Sequence, residues 1–230
     1  MNNIIAIFKK QLKDTLKNKT VLIQFILFPI MTLIMNNAIK MPDMPENFFV
    51  NLFATMYIGM APLTSMAAIL SEEKEKNTLR VLIMSNVKPQ EFLLGIGSYV
   101  WFACMLGGIV ICAAGKYDLQ TGIAFLGIMA IGILTSLLIG AIIGIWSRSQ
   151  MMATSLAVPV MMVFSFIPML SMFNHSIEKF AKILYSEQII RMLSQINDLQ
   201  LDAANMGVVV MNIFIAAVVF VIVFRKCKLA

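Results

Sequence analysis

Residues 71–91 hold the densest run of titratable side chains in the chain: Glu72, Glu73, Lys74, Glu75, Lys76, Arg80, Lys88 and Glu91. Neighbouring carboxylates can share a proton, bind a hard cation or open the EExxxR pattern of an intramembrane protease. The protease reading fails, because position 77 is Asn and the histidines it also needs are missing, His175 being the one histidine. No GxSxG nucleophile turn and no phosphate-cradling GxxxxGK[ST] loop occurs, so the chain itself has no usual means of binding ATP. Cys104, Cys112 and Cys227 lack metal-ligand spacing and read as free thiols, and no metal site is expected. The charges of this loop are therefore read as contacts rather than as catalysts, and the chain as no enzyme.

The elements that must position the loop follow from hydropathy. The 230 residues are 60% hydrophobic and 13% charged, against about 45–50% and 25% in soluble domains. Mean hydropathy is +0.86. That composition excludes a soluble enzyme, a disordered chain and a disulfide-stapled secreted module. Residues 20–39, 47–70, 92–115, 119–147 and 203–224 contain no Asp, Glu, Lys or Arg, and 149–178 closes on Glu178, at a polar end outside the bilayer. Each block can cross a ~30 Å hydrocarbon core as a helix, and none alternates polar and apolar residues as a barrel strand would. The expected fold is all-α, a polytopic membrane protein of six transmembrane helices. The spans carry no ionisable residue, which argues against a proton or sodium relay, although sodium sites of carbonyls and hydroxyls stay open.

The charge distribution orients the bundle. Of 18 lysines and arginines, 13 flank the face bearing both termini and 5 the other, so both termini are expected in the cytoplasm. The net charge of +6 is thus assigned to topology and not to nucleic acid. Residues 1–19 place Ile4, Ile5, Phe8, Leu12 and Leu16 at helical spacing, with Lys9, Lys10, Lys13 and Lys17 opposite. Such a helix lies in the interface, its lysines on lipid headgroups or a cytoplasmic partner. In the cytoplasmic loop 71–91, SEEKEK extends span two, Asn77 permits a break, and Leu79, Leu82 and Ile83 stripe a short second helix before Pro89 opens span three. Gly132, Ser136, Gly140 and Gly144 recur every four residues in span four and predict close packing within one subunit. Residues 177–201 are too polar to span fully and predict an outer amphipathic or re-entrant element.

The run Glu73-Lys74-Glu75-Lys76-Asn77-Thr78-Leu79-Arg80-Val81-Leu82, followed by Ser85 to Gly95, resembles the signature of ABC-2-type transporter permeases. Those proteins show an E-(K/R)-E-x-G-T-L-x-x-L stretch, then a Gly-Lys pair opening span three. Glu73, Lys74, Glu75, Thr78, Leu79 and Leu82 match; Asn77 replaces the usual Gly and Ile96 the usual Lys. The resemblance covers the whole chain and implies one transmembrane permease domain over residues 1–230. It implies that the N-terminal helix (Phe8, Lys9, Leu12, Lys13, Leu16) and a coupling helix after span two (Thr78, Leu79, Leu82, Ile83) contact a cytoplasmic ABC ATPase, which binds ATP and Mg2+. It further implies a second permease copy, as homodimer or sister-permease heterodimer, with spans one, two and five enclosing the pathway.

Met35, Met56, Met60, Met161 and Phe164 fall on those spans. Thioethers adapt to varied apolar partners, which favours a hydrophobic or amphipathic cargo over sugars or ions. Fourteen lysines against four arginines point to an AT-rich bacterial genome and so to the bacterial cytoplasmic membrane. Small permeases of such bacteria export bacteriocins, lantibiotics, cytolytic toxin peptides or drugs, and an amphipathic peptide is the expected cargo. The alternative is a stand-alone channel or bacteriocin-immunity protein working without an ATPase.

Overall fold

Long apolar blocks have one way to satisfy their backbone in hydrocarbon, the intrahelical hydrogen bond, and the chain takes it throughout. The computed structural model describes residues 2–39, 45–78, 84, 87–196 and 203–227. Among these, the regular elements are helices: α1 (Asn2–Lys17), α2 (Lys19–Ala38), α3 (Phe48–Glu75), α4 (Pro89–Ala114), α5 (Leu119–Trp146), α6 (Gln150–Ser171), α7 (His175–Ala181), α8 (Tyr185–Ser194) and α9 (Ala203–Lys226). Six of them, α2 to α6 and α9, are long and apolar enough to cross a membrane. The caps match the sequence punctuation. The side chains of Asp118, Ser149 and Asn174 accept from the first-turn N–H groups of α5, α6 and α7, and Pro89 opens α4.

Helix α3 is the axle of the bundle. Its span is 83% buried, against 28% for α2, 22% for α6 and 17% for α9. The small-residue stripe of α5 is its main seat. A Cβ on Gly140 would stand 2.3 Å from the Leu63 carbonyl oxygen, and one on Gly144 would meet Leu70 at 2.8 Å. Ser136, in the same stripe, donates to the Ile58 carbonyl at 2.5 Å. The stripe thus joins two helices of one subunit, and α6 closes on the other side of α3, where Ser165 donates to the Met56 carbonyl at 3.3 Å.

The polar segment before α9 folds as α7, a turn at residues 182–184, and α8; residues 197–201 of this element lie outside the described residues. Helix α8, beginning at Tyr185, packs into the bundle. The Tyr185 hydroxyl lies 2.6 Å from Ser136 Oγ, and Asn212 of α9 donates to the Ile183 carbonyl at 3.0 Å. Ile58, which shares Ser136 with Tyr185, is ten residues into α3, about 15 Å along the helix from Phe48. The turn itself is exposed at Lys182 and Ile183, whereas Tyr185, Ser186 and Ile189 of α8 are buried, so it is α8 that packs into the bundle.

Candidate functional site

Three consecutive residues at the end of α3 reach three different elements. The Glu73 carboxylate receives Gln11 Nε2 at 2.8 Å and the Lys10 ammonium, both from α1. The Lys74 ammonium donates to the Ser147 carbonyl at 2.7 Å and to that of Ile145, at the C-terminal end of α5. Glu75 Oε2 accepts the Gln150 backbone N–H at 2.8 Å, at the first turn of α6. The signs are those the backbone demands: a cation on the carbonyl-rich end of one helix, a carboxylate on the N–H-rich start of the next. A displacement of the α3 end therefore pulls on α1, α5 and α6 together.

The Glu73 contact is the sheltered one. Its side chain is 9% exposed, and Oε2 has no hydrogen-bond partner among the described residues. Beside it a polar cleft of about 690 Å³ runs between α1 and the α3 end, lined by Lys10, Asp14, Lys17, Glu73, Lys76 and Thr78. Lys76, outside the spans, is held above the usual lysine range chiefly by its hydrogen bond to Glu72.

The loop root breaks where the sequence said it could. Asn77 takes φ 55°, a left-handed conformation that glycine favours and that asparagine tolerates best among other residues. This is why Asn can stand where the permease pattern has Gly. Thr78 is half-buried at the cleft. Leu79, Leu82 and Ile83, the expected docking stripe, lie outside the described residues.

Helix α1 is clamped to α4 as well as to α3. A Cβ on Gly95 would fall 2.8 Å from Ile7 Cβ, so only glycine admits α1 this closely. Phe8 stands edge-on to Tyr99 and Phe102, with centroids 5.6 and 5.7 Å away, and Asn3 donates to Glu91 at 3.0 Å. Leu12 and Leu16 are exposed on the other flank, as are Lys9 and Lys13. The protein-facing stripe is Ile7, Gln11 and Thr15, which the apolar periodicity did not mark, and Lys10 leaves the solvated lysine face to meet Glu73. Ile96, in place of the usual Lys, is fully buried in the core beside this clamp, where its apolar side chain fits.

Of the expected pathway residues, Met56, Met60, Met161 and Phe164 gather where α3 meets α6, all half-buried, and the Phe164 ring lies 4.9 Å from that of Tyr185. Met35 stands apart on α2, half-buried. An ion cluster that hydropathy missed sits beside this group. Glu187 of α8, its side chain 4% exposed, accepts from Ser171 at 2.7 Å and from Arg191 Nε at 2.8 Å, and Arg191 also donates to Glu178 at 3.0 Å. The i,i+4 spacing of Glu187 and Arg191 was the available signal. Glu178 is held down to about 2 by hydrogen bonds from Arg191, His175 and Lys182.

Among curated proteins none matches the chain. The profile of a family described as ABC-2 family transporter protein matches residues 1–225, which include α1, the Glu73-Lys74-Glu75 junction, the first five spans and all but the last residue of the sixth. The chain belongs to the ABC-2 transporter family, as a multi-pass membrane permease component.

Proposed function

We propose that the chain is the permease subunit of an ATP-driven exporter. It works with a second permease, identical or sister, and with cytoplasmic ATPase subunits that carry ATP and Mg2+. Its cargo is hydrophobic or amphipathic, an amphipathic peptide first, and leaves the cell. The observation that carries this reading is the junction at the α3 end. One rigid helix root ties α1, α5 and α6, so a push on the loop that follows it would shift two spans and the interfacial helix in concert. The long apolar faces left open on α2 (Ile23, Ile26, Ile30) and α6 (Leu156, Met162, Phe166) support a partner permease there. The second span is largely enclosed by its own subunit, so Met56 and Met60 would reach a pathway only beside α6. The uncharged group of Met56, Met60, Met161 and Phe164 between α3 and α6 supports an apolar cargo.

Co-purification with the ATPase subunit tests the reading. Leu79→Asp and Leu82→Asp are expected to abolish it. Unchanged binding in both, or cargo movement in proteoliposomes lacking any ATPase, would overturn it.

A further inference from the structure

Between α4, α5 and α9 a furrow of about 990 Å³ opens on the flank of the bundle. Its walls are apolar, with Leu94 and Trp101 of α4, Leu134 and Leu138 of α5, and Phe220 and Phe224 of α9. Its floor is deep because Gly97 has no side chain; a Cβ there would meet nothing nearer than Leu137 Cδ2 at 3.6 Å. Polarity is confined to one end, where Gln90 and Arg225 line the mouth on the face of the α3 junction. Within the furrow Ser98 turns its hydroxyl to the Gly95 carbonyl of its own helix, at 3.0 Å. Arg225 is exposed and has no ion-pair partner among the described residues.

The dimensions match one leaflet. From Gln90 to Trp101 is eleven residues of helix, about 16 Å, against about 15 Å for half a ~30 Å hydrocarbon core. At the deep end Trp101 closes the furrow, its indole N–H donating to the Ala130 carbonyl at 3.4 Å. A slot one leaflet long, apolar throughout and cationic at its aqueous end is complementary to a lipid with one negative charge. We infer that this furrow seats an anionic phospholipid of the leaflet on the α3-junction face. Its acyl chain lies along α4, α5 and α9, its phosphate on the Arg225 guanidinium, with the Gln90 amide as a second donor.

The chain has two tryptophans, so the Trp146→Phe variant leaves Trp101 as the sole reporter. Reconstituted full-length in phosphatidylcholine nanodiscs, it is titrated with phosphatidylglycerol or phosphatidylcholine carrying bromine at mid-chain. Both lipids carry the phosphate, but only the glycerol lipid has a net negative charge; about 1 kcal/mol for one basic residue beside it predicts half-quenching at a roughly fivefold lower mole fraction for the glycerol lipid. Arg225→Gln brings that ratio to about one, whereas Lys226→Gln, outside the furrow, keeps it. Gly97→Leu fills the floor and lowers the ratio with Arg225 intact. Equal quenching by both lipids overturns the inference, as does a preference that survives both Arg225→Gln and Gly97→Leu. Trp101 shielded from both lipids overturns it too, since protein would then cover the furrow. The readout is binding alone, so its outcome is independent of whether the chain exports.

Discussion

Replacing Glu73 by Leu removes the acceptor shared by Gln11 and Lys10, and the structure sets the size of the effect. Gln11 is 3% exposed, so its amide loses its buried acceptor at a cost of about 1–3 kcal/mol. The Lys10 side chain is 39% exposed, so its half of the tie is screened by solvent and worth under about 1 kcal/mol. The unmatched Oε2 disappears with the carboxylate and returns part of this. The net expectation is a loss of about 2 kcal/mol, read from unfolding by SDS titration in mixed micelles. The double variant Gln11→Leu/Glu73→Leu replaces both partners by apolar groups and should recover most of that loss, giving an interaction energy of about 1–2 kcal/mol in the double-mutant cycle. Transport should not recover with it, because α1 and the α3 end are no longer tied by charge. Single effects that add to within about 0.5 kcal/mol would refute the buried contact. A double variant that transports at the wild-type rate would refute its role in passing motion between the two helices.

Three further outcomes follow from local geometry. Gly140→Val presses a side chain against the Leu63 carbonyl and should cost about 1–3 kcal/mol or more. Gly127→Ala, with nothing within 4 Å, should be neutral or stabilising in the same unfolding assay. At Asn77, φ 55° predicts that Asn77→Gly keeps ATPase coupling, whereas Asn77→Val, strained by about 1–2 kcal/mol, lowers coupled ATPase activity. Glu178 is depressed from 4.5 to about 2, so its contribution is fully present above pH 4.5 and is lost as pH falls through that window. The stability gap between the wild type and Glu178→Gln should therefore close on acidification between those values, and a gap independent of pH would count against the Arg191, His175 and Lys182 contacts.

Much of the architecture was legible along the chain. Six uncharged blocks became six long helices, four of them within three residues of the expected ends. The second runs on to Glu75 through the SEEKEK extension, and the fifth stops at Ser171, seven residues short of Glu178, which α7 takes up as its own helix after a turn. Asn77 as a break, Pro89 as a helix start and the small-residue stripe as an intrasubunit seat were readable from local stereochemistry. The segment before α9 was legible as an outer amphipathic or re-entrant element, but not in its packing. Its composition is half polar, and only the packing of Tyr185 on Ser136 places it in the bundle.

What the sequence by itself determined, then, is a bundle of six spans, since block length is a property of the chain alone, and a charged loop root whose residues resemble the permease signature. Which charge meets which helix was decided by tertiary structure. Glu73, Lys74 and Glu75 find Gln11, Ser147 and Gln150 across 62 to 75 residues. Successive residues of a helix point about 100° apart, so three neighbours necessarily serve three directions, and helix crossings alone settle what stands in each. The same crossings turned Lys10 inward, buried Glu187, required glycine at position 95 and left the furrow above Gly97 open.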